Sequence, residues 1–90
     1  MKESAFERKL VDGVKQKGGR AYKFVSPGTP GVPDRIVVMP GGRIIFVELK
    51  TTFGKLSAAQ KSIQAKLRQL GTEVYTLYGV IDVEGFLDAL

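Results

Sequence analysis

The 90-residue sequence contains no cysteine, no histidine and no tryptophan. Without cysteine, a disulfide framework and a thiolate metal site are both excluded. Without histidine, the sequence lacks the commonest general base and the usual zinc ligand. Any catalysis must therefore depend on carboxylates, on lysine and on metal ions that prefer oxygen ligands.

Long apolar runs are also absent. No run approaches the roughly 18–20 residues that a membrane-spanning helix needs, and the charged start of the chain, MKESAFERKL, lacks the apolar centre of a signal peptide. We therefore expect a protein that is not associated with a membrane. The length corresponds to one domain, residues 1–90, with a modest hydrophobic core.

Lysine and arginine outnumber aspartate and glutamate by 14 to 9, which gives a net charge of +5. A positively charged protein attracts polyanions and meets them faster. Many small soluble proteins are mildly basic, so the charge on its own is a weak indication of a nucleic-acid partner.

The most informative stretch runs from residue 31 to residue 50. It holds two apolar runs, 36–39 and 44–49, separated by Pro-Gly-Gly at 40–42. Apolar runs on either side of such a turn predict a β-hairpin. Asp34 comes just before the first strand, so pairing across the turn brings it to the same end of the sheet as the close of the second strand.

Glu48 and Lys50 close the second strand and share one face of it, because side chains two apart point the same way. Two interpretations stand. Asp34 could be a turn residue, and Glu48 with Lys50 a solvated edge pair. Against this, residues 44–47 are apolar on both faces, which is typical of a covered strand. Carboxylates at the end of a covered strand need a compensating charge, and a hard divalent ion supplies one.

The remaining pattern predicts the order α-β-β-β-α-β-α. The helices are expected over residues 3–17, 57–70 and from an Asp82 cap to 90, and the strands over 20–25, 36–39, 44–50 and 73–78. The connection from the third strand through the second helix to the last strand is a parallel β-α-β crossover. The fold class is therefore α/β, a small mixed sheet flanked by helices. On the second helix the expected buried stripe is Leu56, Ile63, Leu67 and Leu70.

Two polar residues fall on apolar helix faces, and each has two interpretations. Ser57 followed by Gln60 is a capping-box pattern, yet Gln60 also faces the sheet and could reach the site at the strand ends; the two roles are compatible. Glu3 lies in the middle of the apolar stripe of the first helix, with Glu7 near the same face. It either caps the helix or faces an internal polar site.

Taken together, these residues resemble the PD-(D/E)XK nuclease superfamily, and within it the VRR-NUC (virus-type replication-repair nuclease) domains. The resemblance spans nearly the whole chain in the family's order. It is carried by Glu3 on the early helix, Gly31-Val32-Pro33-Asp34, Phe46-Val47-Glu48-Leu49-Lys50, Gly54-Lys55-Leu56-Ser57 leading to Gln60, and Gly71 before the last strand. It implies a restriction-endonuclease-like core.

The resemblance also implies the roles of these residues. Asp34 and Glu48 would bind Mg²⁺ or Mn²⁺, with the backbone carbonyl of Leu49 as a further ligand. Lys50 would be the catalytic lysine. Gln60 would orient it or a water molecule, and Glu3 would be an outer acidic member of the site.

A stand-alone member this short resembles phage proteins and dimeric Holliday-junction resolvases. The resemblance implies a metal-dependent, structure-selective endonuclease that hydrolyses phosphodiester bonds of branched DNA and works as a homodimer. It also implies a cytoplasmic location, in the bacterial host cell if the chain is phage-encoded. The residues expected to contact DNA are Arg20, Lys23, Ser26, Arg43, Lys55 and Lys61. The alternatives are a catalytically silent DNA-binding module on the same fold and a basic structural protein.

Overall fold

The structure, a computed structural model, describes residues 4–90. Within residues 4–90, three α-helices and four β-strands follow one another in the order α-β-β-β-α-β-α, with one 3₁₀ turn, Pro40–Gly42, between the second and third strands. The helices are α1 (Ala5–Gln16), α2 (Ala58–Gln69) and α3 (Gly79–Ala89), and the strands are β1 (Arg20–Lys23), β2 (Arg35–Val38), β3 (Ile44–Lys50) and β4 (Glu73–Tyr78). No helix within residues 4–90 is long and apolar enough to cross a membrane.

The four strands form one mixed sheet in the order β1-β2-β3-β4. β1 pairs with β2 and β2 with β3 in antiparallel fashion, whereas β3 and β4 are parallel and are joined through α2. The predicted hairpin, the parallel crossover and the α/β class are therefore confirmed.

Alternation along β3 decides which side chains meet which helices. Ile45 and Val47 point to the face covered by α1 and α3, where they join the hydrophobic core. Glu48 points to the opposite face, where Gln60 of α2 contacts it. The core consists of Leu10, Val14, Ala21, Val37, Ile45, Val47, Leu77, Val83, Phe86 and Leu87. The polar site and the core thus lie on opposite faces of the same strands.

The β2–β3 turn depends on its two glycines. Gly41 and Gly42 both have φ of +85°. Glycine adopts this left-handed conformation readily because it has no Cβ, whereas other residues rarely do. The turn is closed by a 2.8 Å hydrogen bond from the backbone N–H of Met39 to the carbonyl of Arg43. This geometry fixes the register of the hairpin.

Two sequence predictions about the helices were wrong. Leu70 is 68% exposed, and the buried residue of α2 is Gln64, whose amide hydrogen-bonds Thr76 of β4. Leu56, Ile63 and Leu67 of the predicted stripe are half-buried, so the prediction fails at Leu70 and in omitting the polar contact of Gln64 with the sheet. In addition, α3 begins at Gly79 directly after β4, so Asp82 lies inside its first turn. From there Asp82 accepts a 2.8 Å hydrogen bond from the N–H of Tyr78.

Candidate active site

The Asp34 side chain lies where β2 meets β3. Arg35 is paired with Val47, so one further step of the antiparallel register places Asp34 opposite Glu48. The ladder with β1 also extends this far, because the N–H of Phe24 donates to the carbonyl of Asp34 at 2.9 Å. Residues directly opposite in an antiparallel pair share a face. The two carboxylates are therefore neighbours on one face of the sheet.

The Asp34 carboxylate is held in place by the main chain of β3. Its Oδ2 accepts a 2.8 Å hydrogen bond from the N–H of Leu49. That N–H belongs to the residue between Glu48 and Lys50. The aspartate is thus tied directly to the strand that carries the other two predicted site residues.

The Glu48 carboxylate is buried, with only 2% of the residue exposed. Its Oε2 accepts a 3.0 Å hydrogen bond from Nε2 of Gln60 and lies 3.9 Å from Nζ of Lys50. Its Oε1 is buried without a hydrogen-bond partner in the structure. Burial, and then the charge of Asp34, raise the pKa of Glu48 to about 8, against the opposing effect of Lys50.

Gln60 performs both of the roles that its position suggests. Its side-chain oxygen accepts a 2.8 Å hydrogen bond from the N–H of Ser57, which forms one half of a capping box. The N–H of Gln60 donates to Oγ of Ser57 at 3.1 Å, which forms the other half. The capping box uses only the side-chain oxygen, so the side-chain nitrogen of Gln60 is available to donate to Glu48. The start of α2 is thereby fixed relative to the carboxylates.

The loop that precedes Asp34 rests on this same helix start. Gly31 has φ of +91°, and a Cβ built on it would lie 2.5 Å from the carbonyl carbon of Ala59. Any side chain at this position would push α2 away from the loop. The glycine of the predicted Gly-Val-Pro-Asp segment therefore allows close packing that keeps Gln60 near Glu48.

The donor set fits a hard divalent cation. Glu48 offers a buried oxygen without a partner beside a second carboxylate, and a cation would remove the cost of ionising both. Within residues 4–90 no group of three or more His, Cys, Asp or Glu side chains could hold a metal ion. Asp34 and Glu48 are two candidate ligands, a number that fits Mg²⁺, since that ion usually keeps several waters. Glu3 lies outside the described residues.

The predicted DNA contacts fall at both ends of the sheet. Lys23 pairs with Arg35 at the end nearest Asp34, and Ser26 opens the loop that leads to Asp34. Lys55 and Lys61 line one surface groove with Tyr78, the β4 partner of Lys50.

Arg20 and Arg43 are at the opposite end of the sheet from the two carboxylates. Arg43 makes a bidentate pair with Glu73 at 2.7 and 2.8 Å, which raises the pKa of Arg43 and lowers that of Glu73. Arg20 donates to the carbonyl of Gly19 at 2.7 Å. The structure therefore brings Lys55 and Lys61 toward the site but not these two arginines.

Arg35 is a positioning residue that the sequence analysis missed. It is buried, donates from Nη1 to the carbonyl of Ala21 at 3.0 Å, and places Nη2 3.3 Å from Oε2 of Glu7. These contacts lie on the α1 face of the sheet, opposite the face that carries Asp34, and they connect α1 to the start of β2. The signal was present in the sequence as an arginine opening an apolar strand and a glutamate near the buried helix face.

The fold is an α/β domain with a mixed sheet, and its candidate active site combines two apposed carboxylates, a lysine two residues on and an amide from the crossover helix. The chain belongs to the VRR-NUC domain family, whose family model matches residues 3–81. It is 48% identical over 77 residues to "Putative nuclease p44" of Acyrthosiphon pisum secondary endosymbiont phage 1, and the match covers 86% of this chain and 83% of that protein.

A solved structure supports the same assignment. It is titled "VRR_NUC domain" and superposes on this chain with a TM-score of 0.86 at 25% sequence identity. The superposition covers 92% of this chain and 90% of the other. The fold is thus that of the family over most of the chain.

Proposed function

We propose that this protein is a DNA endonuclease that uses Mg²⁺ or Mn²⁺ to hydrolyse phosphodiester bonds. The observation that carries the proposal is the buried Glu48 carboxylate, which has one oxygen without a partner and lies opposite Asp34. A purely structural glutamate would have little reason to be buried in that state, because an unsatisfied buried carboxylate is costly. Membership of the VRR-NUC family and the phage relative named as a nuclease support the same conclusion.

Asp34 and Glu48 would hold the divalent ion, and the Leu49 carbonyl is a further candidate ligand. When bound, the ion neutralises charge on the scissile phosphate and lowers the pKa of a nearby water. The hydrogen bond from Leu49 orients Asp34, and the one from Gln60 orients Glu48. These contacts set both carboxylates before substrate arrives, which reduces the reorganisation needed during the reaction.

Lys50 acts at the same point. Its side chain is one-fifth exposed, and its Nζ lies 3.9 Å from Oε2 of Glu48. From this position it can stabilise the negative charge that develops on the phosphate, or orient the attacking water and help to deprotonate it. Either role requires the lysine to remain on the face that carries Glu48.

We propose branched DNA, such as a Holliday junction, as the substrate, read through its backbone and shape. The chain offers no tryptophan and no DNA-reading motif such as a zinc finger, whereas Lys55 and Lys61 line a groove beside the site. A single chain holds one such site, and cutting two opposed strands calls for two. A two-fold homodimer supplies them. The phage relative suggests that the reaction takes place in the cytoplasm of a bacterial host.

The test is a cleavage assay with purified protein on a four-way junction, a flap and a linear duplex, with and without Mg²⁺ or Mn²⁺. We expect cutting only with a divalent ion, preference for the junction, and loss of cutting in Glu48→Ala and Lys50→Ala. Binding without cutting under any divalent ion would indicate a silent DNA-binding module instead. Cutting that survives both substitutions would place the active site elsewhere.

A further inference from the structure

Phe53 is the most exposed large apolar side chain among residues 4–90. It is 93% exposed, and it lies three residues after Lys50 in the loop that joins β3 to α2. Leaving a whole phenyl ring in water forgoes the hydrophobic gain of burying it. Single exposed apolar residues are common, so exposure becomes informative here only through what surrounds the ring.

The loop presents Phe53 outward by its construction. The N–H of Gly54 donates to the carbonyl of Thr51 at 2.9 Å, which closes a turn with Phe53 at its tip. The preceding residue, Thr52, packs against the start of α3, because a Cβ on Gly79 would lie 2.5 Å from its Oγ1. Both neighbours of Phe53 in the chain thus make defined contacts, and the ring extends into solvent from the loop that follows Lys50.

The loop that carries the ring borders a groove with two lysines. Thr52 and Gly54, the neighbours of Phe53 in the chain, line this groove together with Lys55 and Lys61. Neither lysine forms an ion pair within the described part of the chain. An aromatic face with nearby ammonium groups, next to carboxylates suited to a phosphodiester reaction, matches the two halves of a nucleotide: the base and the phosphate.

We propose that Phe53 is a base-stacking site, which receives a nucleobase next to the scissile phosphate whose face is free of its neighbours in the stack. Lys55 and Lys61 hold the adjoining phosphates. Stacking on an aromatic ring requires a base face that is not covered by a neighbouring base pair, as in a single strand or at a branch point, where the helical stack is interrupted. The site therefore favours single-stranded or branched DNA over continuous duplex. This inference rests on the proposed nuclease function and deepens it, because it supplies a physical basis for the preference for branched substrates.

The test exploits the absence of tryptophan from the chain. Phe53→Trp introduces a single indole at the loop tip, and its fluorescence is followed in EDTA while oligothymidine or a duplex of equal length is added. Leu70→Trp is the matched control, since Leu70 is 68% exposed at the far end of α2. We expect strong quenching of the loop indole by the single strand, weak quenching by the duplex, and no selective quenching in the control.

Binding measurements separate stacking from simple hydrophobic contact. Phe53→Ala should weaken binding to a single strand or a junction by about 5- to 100-fold, the range expected for the loss of one base–aromatic stack. Phe53→Tyr should retain most of the affinity, and Phe53→Leu should lose it, because only the former keeps a π face. Equal affinity of Phe53→Leu and wild type, or a blue shift of the indole with anionic vesicles and no quenching with DNA, would overturn the proposal.

The two proposals can fail separately. If wild type cuts DNA with a divalent ion, and Phe53→Ala binds and cuts each substrate as well as wild type does, the stacking site is refuted and the nuclease stands. If wild type cuts nothing but the loop indole is quenched by the single strand, the nuclease is refuted and the stacking site stands. Circular dichroism spectra that match wild type confirm that each exposed-loop variant is folded.

Discussion

Gln60 donates a 3.0 Å hydrogen bond from its amide nitrogen to Oε2 of Glu48. The oxygen of the same amide accepts from the N–H of Ser57 and so caps α2. One side chain therefore sets both where the helix starts and where the glutamate points. The cap makes the amide a rigid donor, which is what a proposed metal-binding carboxylate needs from its neighbours.

Gln60→Ala and Ser57→Ala separate these two roles. Both substitutions break the capping box and should lower the free energy of unfolding by about 1 kcal/mol. Only Gln60→Ala removes the donor to Glu48, so it alone should lower the cleavage rate per folded molecule, by about 10- to 100-fold. Urea unfolding and single-turnover cleavage check this. An equal loss of activity in Ser57→Ala would show that the effect comes from the helix cap.

Glu48 should make stability depend on pH when no divalent ion is present. Its pKa is about 8 in the folded chain, against an ordinary value of 4.5, so the folded state holds a proton that the unfolded state releases. The contribution of Glu48 to the free energy of unfolding is therefore full below about pH 4.5. It is lost as the pH rises through 8 and is absent at higher pH. Each pKa unit corresponds to about 1.4 kcal/mol, so the change is on the order of a few kcal/mol.

Glu48→Gln isolates this effect, because the amide stays neutral at every pH. Urea unfolding in EDTA at about pH 5 and about pH 8.5 should show wild type losing stability relative to the variant as the pH rises. Parallel pH profiles for the two proteins would mean that the glutamate is ionised in the folded state as freely as in the unfolded state.

The buried ion pair behind the site should matter for stability far more than the exposed one. Arg35→Leu removes the buried partner of Glu7 and should cost on the order of 3 kcal/mol of unfolding free energy. Arg43→Leu breaks the exposed pair with Glu73 and should change stability little. Thermal and urea unfolding compare the two. Similar stability of both variants would show that Arg35 does not hold α1 against β2.

The two ends of the sheet should differ in their contribution to DNA binding. Lys55→Gln with Lys61→Gln, and Arg20→Gln with Arg43→Gln, remove the same charge from opposite ends. The lysine pair should reduce the salt dependence of binding, lowering the slope of log K against log salt by about two. The arginine pair should leave this slope close to that of wild type. Equal slopes in the two double variants would indicate that DNA is attracted by the overall charge of the protein, and not by contacts at one end of the sheet.

The sequence predicted the elements that have strong local signals. The hairpin followed from two apolar runs around two adjacent glycines, and the crossover from the capping box and the stop at Gly71. The juxtaposition of Asp34 and Glu48 then followed from strand pairing alone. Leu70 was misplaced because helical spacing cannot tell which part of a helix overhangs its sheet. Arg35 was missed because its partner, Glu7, lies 28 residues away and only the tertiary fold brings them together.

The central claim is that Asp34 and Glu48 together hold a divalent cation, and Mn²⁺ titration calorimetry at about pH 8 tests it directly. We expect wild type to bind Mn²⁺ at a defined stoichiometry of one or two ions per chain, and Asp34→Asn and Glu48→Gln each to bind about 10- to 100-fold more weakly. Mn²⁺ binding that is unchanged in both variants would contradict the account.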